Sequence, residues 1–241
     1  MSEDRIYASE NADDGAFEFN EAVAAVFADM LKRSIPGYAA TIAAIGAIAR
    51  QFVSNESRCY DLGCSLGAAT LAMRQNISAR DSRILSIDNS IAMIERCRKT
   101  VEDNESSVPV DVIAGDVREV TIENASMVVM NYTLQFLPIV DRDPMIAKIF
   151  AGMNKGGVFV LSEKVTDEDP VVEKMLVDLH YEQKRRNAYS ESEISRKRAA
   201  IENVLIPESL ATHKSRILKA GFGHFGIWLR FFNFVSMVAI K

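Results

Sequence analysis

The spacing of apolar residues predicts alternating helices and strands along most of the chain. Between residues 21 and 50 the apolar positions recur at helical intervals, with a break at 34–37 where a proline and a glycine interrupt them. Further on, short apolar runs predict strands at 58–62, 83–88, 110–114, 127–131 and 158–162, and helices are predicted between them at 68–75, 90–101 and 145–152. This alternation is typical of an α/β fold, with a doubly wound and mostly parallel sheet.

The second half of the chain departs from this alternation. Residues 171–205 form a long, charged, mostly helical insertion, which is followed by a helix at 210–220 and strands at 226–232 and 234–240. No linker rich in Pro, Gly or Ser divides the 241 residues, so we expect one domain over 1–241. The predicted parts of this domain are an N-terminal arm with helices (1–55), a cofactor-binding core (56–163), a helical insertion (171–205) and the C-terminal part of the sheet (206–241). Because residues 1–20 are acidic and broken by Asn, Asp and Gly, they predict a loose arm and not a signal peptide.

The composition narrows the class of protein. Hydrophobic residues make up 48% and charged residues 25% of the chain, which indicates a folded domain. The net charge of -5 provides no general attraction to nucleic acid. The three cysteines have no metal-ligand spacing, so we expect reduced thiols, no metal site and a cytoplasmic location. The most apolar stretch, 39–49, is about half the length that a membrane span requires, so no membrane association is expected.

A glycine-containing loop follows the first predicted strand. Residues 61–67 read Asp-Leu-Gly-Cys-Ser-Leu-Gly, and Gly63 and Gly67 let the backbone approach a ligand closely. The helix that follows offers unpaired N–H groups. Ser65 stands where a dinucleotide fingerprint has its central glycine, which favours a ligand without a pyrophosphate.

Polar residues also follow the later strands, at the edge where open parallel sheets bind ligands. Asp88 could accept hydrogen bonds from ribose hydroxyls, with Asn89 assisting. Asp116 could accept from an adenine amine, Val117 could supply an N–H group and an apolar contact, and Asn131 would face a sulfonium. Each residue alone could equally be a helix cap or an Asx-turn. Their order over successive strand ends favours an adenosyl ligand.

These features, with the turn at 154–157, resemble the motifs of class I S-adenosylmethionine (SAM)-dependent methyltransferases over most of 56–163. Finer matches extend over nearly the whole chain and resemble the carboxy-S-adenosyl-L-methionine (carboxy-SAM) synthase family; they lie at 27–30, 34–38, 60–70, 131–138, 161–164, 197–204 and 212–214. The resemblance implies a Rossmann-like, seven-stranded sheet and conversion of SAM and prephenate to carboxy-SAM and phenylpyruvate. Carboxy-SAM then supplies the carboxymethyl group for wobble-uridine (cmo5U) modification of tRNA. The resemblance also implies a homodimer that need not bind tRNA itself.

The resemblance further implies a set of SAM contacts: Tyr38, Gly63, Cys64, Ser65, Asp88, Asn89, Asp116, Val117, Asn131 and Arg198. Within this set, Arg198 is expected to bind the carboxyl-bearing product across the dimer interface. Tyr38 is expected to cover the methionine end of SAM, although an ordinary core tyrosine would have the same pattern. Arg185, Arg186 and Arg196 are interpreted as solvated helix charges.

No catalytic residue is predicted. The three histidines, His180, His213 and His224, show no triad order and are interpreted as structural. Two other functions remain open from the residues: a conventional small-molecule methyltransferase, and a non-catalytic SAM-binding subunit that uses the 171–205 helices as a partner surface.

Overall fold

The computed structural model describes residues 3–8 and 17–241. Within these residues the helices are α1 (Glu21–Ser34), α2 (Tyr38–Phe52), α3 (Ala68–Asn76), α4 (Ile91–Glu102), α5 (Ile139–Gly152), α6 (Pro170–Arg186), α7 (Glu191–Ile201) and α8 (Leu210–Ala220). The strands are β1 (Arg58–Leu62), β2 (Arg83–Asp88), β3 (Val110–Ala114), β4 (Ala125–Asn131), β5 (Met153–Thr166), β6 (Glu208–Ser209), β7 (His224–Phe231) and β8 (Phe234–Ile240).

The main strands form one sheet in the order β3-β2-β1-β4-β5-β8-β7. Strands β1 to β5 run parallel, and β8 is antiparallel to both β5 and β7. The predicted doubly wound, mostly parallel sheet is therefore confirmed. The two-residue strand β6, which pairs with the end of β5, was not predicted because it is too short to show an apolar period.

The core lies on both faces of the sheet, and β4 at its centre is almost entirely buried. Met127 points to the face covered by α2, where it belongs to the same cluster as Ile45. Met130 points to the opposite face, where it clusters with Ile146 of α5. We call these the α2 face and the α5 face. Covering helices on both faces explain why β4 is a continuous apolar run.

The predicted helical segment at 171–205 forms two helices with a break at 187–190. Ala188 adopts a left-handed conformation, with φ of 62°, and ends the first helix. Ser190 begins α7 through a capping box, in which its side chain and that of Glu193 each accept from the other's backbone N–H. Within the described residues, no helix has both the length and the apolar character needed to cross a bilayer.

The expected loose arm is wrong for residues 3–8. Asp4 is only 2% exposed, and its carboxylate accepts a hydrogen bond of 2.5 Å from the hydroxyl of Tyr189. Phe17 is also buried, and its N–H donates to the carbonyl of Ala200 in α7. The arm prediction missed these contacts because their partners lie almost 200 residues away in sequence. The rest of the predicted arm, at 1–2 and 9–16, lies outside the described residues.

Candidate functional site

The loop after β1 is held in a conformation that requires its two glycines. Gly63 and Gly67 both have φ of 85°. A Cβ at Gly63 would lie 2.3 Å from Oγ1 of Thr133, and one at Gly67 would lie 2.8 Å from Sγ of Cys97. Ser65 is also left-handed, with φ of 48°, a conformation that costs a non-glycine residue about 1 kcal/mol. Strained backbone of this kind is common where a loop is shaped for a ligand.

Hydrogen bonds tie the loop to the end of β2. The N–H groups of Gly63 and Cys64 both donate to the carbonyl of Ile87, at 2.8 and 2.9 Å. The N–H of Ser65 donates to Oδ2 of Asp88 at 2.9 Å. Because these N–H groups are engaged within the protein, the loop is poorly suited to cradle a phosphate. The structure therefore supports the preference for a ligand without a pyrophosphate.

Asp88 ends β2, where its carboxylate could accept from a ribose. Its carboxylate also accepts from the N–H of Ser90 at 2.9 Å, and Asn89 beside it is exposed. Burial raises the pKa of Asp88, although the N–H groups of Ser90 and Ser65 oppose that shift. Each carboxylate oxygen accepts one backbone hydrogen bond and has a further lone pair for a ligand hydroxyl.

Beneath the loop, Asp61 is buried at the end of β1. Burial raises its pKa to about 6, against the opposing hydrogen bond from Thr70. Oγ1 of Thr70, in the first turn of α3, donates to Asp61 at 2.6 Å and lies 2.7 Å from Oγ of Ser86. This chain of contacts fixes the start of α3 against β1 and β2.

Tyr38 is the first residue of α2 and is half-buried. Burial raises the pKa of its hydroxyl, and the charges of Asp61 and Tyr132 add to the shift. The hydroxyl therefore lies near the ends of β1 and β4. That position agrees with the expected cover over the methionine end of SAM, which stays a prediction.

Asn131 ends β4 on the α2 face. Its Oδ1 is buried and has no hydrogen-bond partner within the described residues. Buried amide oxygens are almost always paired, so an unpaired one at a strand end is an acceptor available to a ligand. A SAM amino or sulfonium methyl group would suit this oxygen.

Asp116 and Val117 follow β3. Both carboxylate oxygens of Asp116 accept from the guanidinium of Arg118, which lowers the pKa of Asp116. Arg118 also donates to Asp141 at 2.6 Å. Val117 is buried, and its N–H donates to no group within the described residues. An adenine could thus meet a free N–H here. Arg118 already donates to both oxygens of Asp116 through its backbone N–H and its guanidinium, so the carboxylate could accept an adenine amine only by giving up part of this contact.

Two of the predicted SAM contacts, Cys64 and Arg198, do not present their side chains at the strand ends. The side chain of Cys64 is buried in a cluster with Ile94 and Cys97, so only its backbone can face a ligand. All three cysteines are free thiols, as predicted. Arg198 is exposed on α7 and makes no hydrogen bond or ion pair through its side chain to the described part of the chain. The structure therefore does not join Arg198 to the strand-end residues within one copy of the chain.

Known proteins with a similar sequence or fold include methyltransferases, as the strand-end site predicts. A family described as a methyltransferase domain matches residues 60–157. An O-methyltransferase-like protein from Nostoc punctiforme has a TM-score of 0.63 at 15% identity, over 92% of this chain and 59% of that chain. Human N-acetylserotonin methyltransferase, crystallised with SAM, has a TM-score of 0.59 at 13% identity, over 98% of this chain and 57% of that chain. At these identities the likeness establishes the fold alone.

Sequence relatives are much closer. A carboxy-SAM synthase from Shewanella sediminis is 50% identical over 240 residues, which cover 100% of this chain and 99% of that protein. A carboxy-SAM synthase from Shewanella oneidensis is 51% identical with the same coverage. The chain belongs to the carboxy-S-adenosyl-L-methionine synthase family. The family predicted from the sequence motifs is thereby confirmed, and with it the class of SAM-dependent transferase.

In this carboxy-SAM synthase family member, the other arginines of the insertion differ from one another. Arg185 and Arg186 are exposed and form ion pairs with Glu182, as expected of solvated helix charges. The expectation is wrong for Arg196, which is half-buried and donates to the carbonyl of Tyr7. Its partner belongs to the distant segment 3–8, which the helical pattern gives no means to foresee.

Two of the family member's histidines are buried. Nε2 of His180 lies 2.8 Å from the carbonyl of Ser34, and burial lowers its pKa to about 3. Burial lowers the pKa of His213 to about 4, whereas His224 is exposed. Neither buried ring is protonated near neutral pH, which agrees with the structural interpretation.

An ion-pair network that was not found from the sequence supports the site from the α5 face, and it is largely buried except for Asp143. Arg142 is fully buried and donates to Glu208 at 2.6 Å and to the carbonyl of Gln135 at 3.0 Å. Arg216 donates to Glu208 at 2.8 Å and to Asp143 at 2.6 Å. We call these four charged residues, Arg142, Asp143, Glu208 and Arg216, the arginine network. It holds the turn after Asn131, because Gln135 lies in that turn.

Proposed function

We propose that the protein converts SAM and prephenate to carboxy-SAM and phenylpyruvate. The observation that carries this proposal is the full-length similarity, about half of all positions, to proteins named carboxy-SAM synthase. The site supports it, because the loop, Asp88 and Asn131 offer acceptors for the amine, ribose and sulfonium end of SAM. The buried carboxyl groups of Asp61 and Asp88 also suit a cationic ligand.

In the proposed reaction, the SAM methyl group loses a proton, and prephenate loses CO₂ and hydroxide as its ring becomes aromatic. The hydroxide takes the methyl proton and leaves as water. The carbon of the resulting ylide forms the new bond to CO₂. The protein must hold the two substrates in contact and exclude water that would reprotonate the ylide. No side chain is required as the base in this scheme.

We further propose that the product is the carboxymethyl donor for wobble-uridine (cmo5U) modification, and that a separate transferase delivers it to tRNA. We propose that the protein is cytoplasmic and acts on small molecules without itself binding nucleic acid or membranes. The net charge of -5 supports the absence of nucleic-acid binding, because it provides no general attraction to a polyanion. We also propose that SAM and prephenate bind without a metal ion.

We propose that the protein acts as a homodimer. Helix α6 exposes Val171, Met175 and Leu179 at 76%, 51% and 41%, and their spacing of four residues places them along one stripe of the helix. A second copy could cover this stripe, as isologous interfaces do. The exposed Arg198 on the neighbouring helix would then be available to the partner's site.

The proposed function is tested by incubating the purified protein with SAM, with and without prephenate, and by analysing the adenosyl products by mass spectrometry. We expect a product with an added CO₂ unit only when prephenate is present, together with phenylpyruvate in equal amount. Unchanged SAM would contradict the proposal. A conventional methyltransferase would instead yield S-adenosylhomocysteine with a methyl acceptor, and a non-catalytic subunit would bind SAM and convert nothing.

A further inference from the structure

Three lysines from three different elements turn inward on the α2 face. Lys164 lies on β5, Lys184 on α6 and Lys197 on α7. Lys184 is 9% exposed and Lys197 is 8% exposed, and Lys164 is half-buried. We call this group the lysine recess. Lysines are rarely buried to this extent unless they are paired.

The register of the sheet places the recess next to the SAM site. Asn131 pairs with Ser162 across β4 and β5, so both side chains point to the α2 face. Lys164, two residues further along β5, points to the same face, about 7 Å beyond Ser162. The lysine recess therefore begins next to Asn131, on the same face of the sheet.

Buried aromatic side chains lie between the two regions, and we call them the aromatic path. The rings of Tyr132 and Phe234 are 6.0 Å apart, and the ring of Phe234 is 4.8 Å from that of His180. His180 lies on α6, one turn before Lys184. A ligand with an unsaturated ring and anionic groups could contact both the aromatic rings and the lysine ammonium groups.

The lysine recess carries more positive than negative charge. Lys197 has a partner in Asp4, at 3.7 Å, and donates to Oγ of Ser34 at 3.3 Å. Lys164 and Lys184 form no ion pair within residues 3–8 and 17–241, although Glu173 acts on Lys164 and Asp4 acts on Lys184 at longer range. Two buried or half-buried ammonium groups thus lack an ion-pair partner, and the nearby Arg198 adds to the positive charge.

The lysines also act on one another. Burial, with the charges of Lys197 and Lys164, lowers the pKa of Lys184 to about 7. Burial lowers the pKa of Lys197 to about 8 despite the opposing charge of Asp4. An anion that entered the recess would offset this unfavourable clustering and hold the ammonium groups charged.

We infer that the lysine recess binds the carboxylates of prephenate and holds them beside the SAM methyl group. This inference rests on the proposed function. Prephenate is a dianion with a nonaromatic ring, so it matches the aromatic path and the two ammonium groups that lack an ion-pair partner. Charge-assisted hydrogen bonds from Lys164 and Lys184 would fix the departing CO₂ near the carbon that receives it. Lys164 and Lys184 are accordingly substrate-binding residues, whereas Lys197, which is paired with Asp4, adds positive charge to the recess.

A merely structural role for these lysines predicts a different result on substitution. If they served to join α6, α7 and β5, replacing one would lower the melting temperature. If the lysines instead bind an anionic substrate, Lys184 is an unpaired buried charge in the free protein. Lys184→Met removes that charge, keeps most of the side-chain volume and should raise the melting temperature. The same substitution should weaken prephenate binding, so stability and affinity move in opposite directions.

The test measures binding by calorimetry in protein saturated with S-adenosylhomocysteine, which has no methyl group to react. Prephenate is titrated into wild type, Lys184→Met, Lys164→Met and the control Lys99→Met, whose lysine is exposed on α4. We expect the prephenate Kd to rise at least about 10-fold in the first two variants and less than about 2-fold in the control. The Kd for SAM, titrated into ligand-free protein, should stay within about 2-fold in all of them.

An unchanged prephenate Kd in both recess variants would overturn the inference, as would a parallel loss of SAM affinity. If Lys184→Met does not fold, Lys164→Met and Lys184→Gln provide the same comparison. Failure of the proposed function is distinguishable, because wild type would then bind prephenate without forming carboxy-SAM. Failure of the inference alone would leave carboxy-SAM formation intact, with an unchanged KM for prephenate in the variants.

Discussion

The arginine network and the lysine recess are both charged and largely buried, yet they differ in how their charges are compensated. In the arginine network, Arg142 and Arg216 share the carboxylate of Glu208, and Asp143 provides a second negative charge. In the lysine recess, Lys184 has no ion-pair partner within the described residues. The two regions lie on opposite faces of one strand, and successive residues of β5, Glu163 and Lys164, belong to the two sides.

The comparison separates structural charge from charge that serves a ligand. A buried charge with all its partners inside the chain can hold loops and strands in place, but it has little left to offer a substrate. A buried charge without a partner destabilises the free protein and becomes favourable only when a ligand supplies the partner. The predictions below follow from this distinction.

The largest effect is expected from Arg142→Met in the arginine network. It leaves Glu208 with one cation fewer and frees the buried carbonyl of Gln135. The free energy of unfolding should fall by about 3–5 kcal/mol, the usual cost of breaking a buried pair. Urea denaturation measures it, with the exposed Arg186→Met as the control. A loss below about 1 kcal/mol would show that the network is not structural.

Asp88→Asn tests a buried carboxylate that accepts hydrogen bonds from the chain and that we propose also accepts from the ligand. An amide of the same shape can accept from Ser65 or Ser90 but not from both, and it presents N–H groups to ribose hydroxyls. We expect the Kd for SAM to rise about 10- to 100-fold, or about 1.4–2.8 kcal/mol. Calorimetric titration provides the measurement. An unchanged Kd would remove Asp88 from the proposed SAM contacts.

Lys184→Met should stabilise the protein at neutral pH by about 1–4 kcal/mol, opposite in sign to Arg142→Met. The pKa of Lys184 is about 7 in the folded protein, below the ordinary value of 10.5. Between these values the unfolded chain binds more protons, so wild-type stability rises with pH across this window. The advantage of the variant should therefore be largest below pH 7 and disappear towards pH 10.5. Denaturation at pH 6.5, 8 and 9.5 checks this, and an advantage that is constant with pH would contradict it.

The smallest effect is expected from His213→Phe. Both ring nitrogens of His213 are buried without hydrogen-bond partners within the described residues, beside the arginine network. Because the ring is uncharged at neutral pH, its replacement should change the free energy of unfolding by less than about 1 kcal/mol. The pKa of His213 is lowered to about 4 from 6.5, so wild type should lose stability as the pH falls through this range. The variant should lose less, which acid titration of the unfolding transition would reveal.

The sequence predicted the fold well where local signals were sufficient. β1, β2 and β3 have the predicted bounds, because each apolar run is closed by polar or turn residues. Helix α5 begins at Ile139, six residues before the predicted start. The prediction was late because Pro144, which lies inside the helix, was expected to precede it. Proline normally ends or begins a helix, and here the lost backbone hydrogen bond is tolerated in the second turn. β5 similarly begins before Gly156 and Gly157, which were interpreted as a turn.

The candidate site was predictable only in part, because a local sequence pattern does not determine which side chains long-range packing buries. The ends of parallel strands meet at one edge, so the order of Gly63, Asp88 and Asn131 along the chain was enough to place them together. No comparable rule applies to the charged helices α6 and α7. Lys184 and Arg185 are neighbours in sequence, yet one is buried and the other is exposed. Only the packing of α6 against α1 and α7 decides between them.

The alternation of Glu163 and Lys164 also has a consequence for folding. A slip of one residue in the pairing of β5 would exchange the two faces of the strand. It would move Lys164 towards Arg142 and Arg216, where a third cation would be strongly repelled, and would remove Glu163 from the N–H of Leu134, to which it is bonded. A misregistered intermediate would therefore be short-lived, and the charges at the end of β5 would help the sheet to close in a single register.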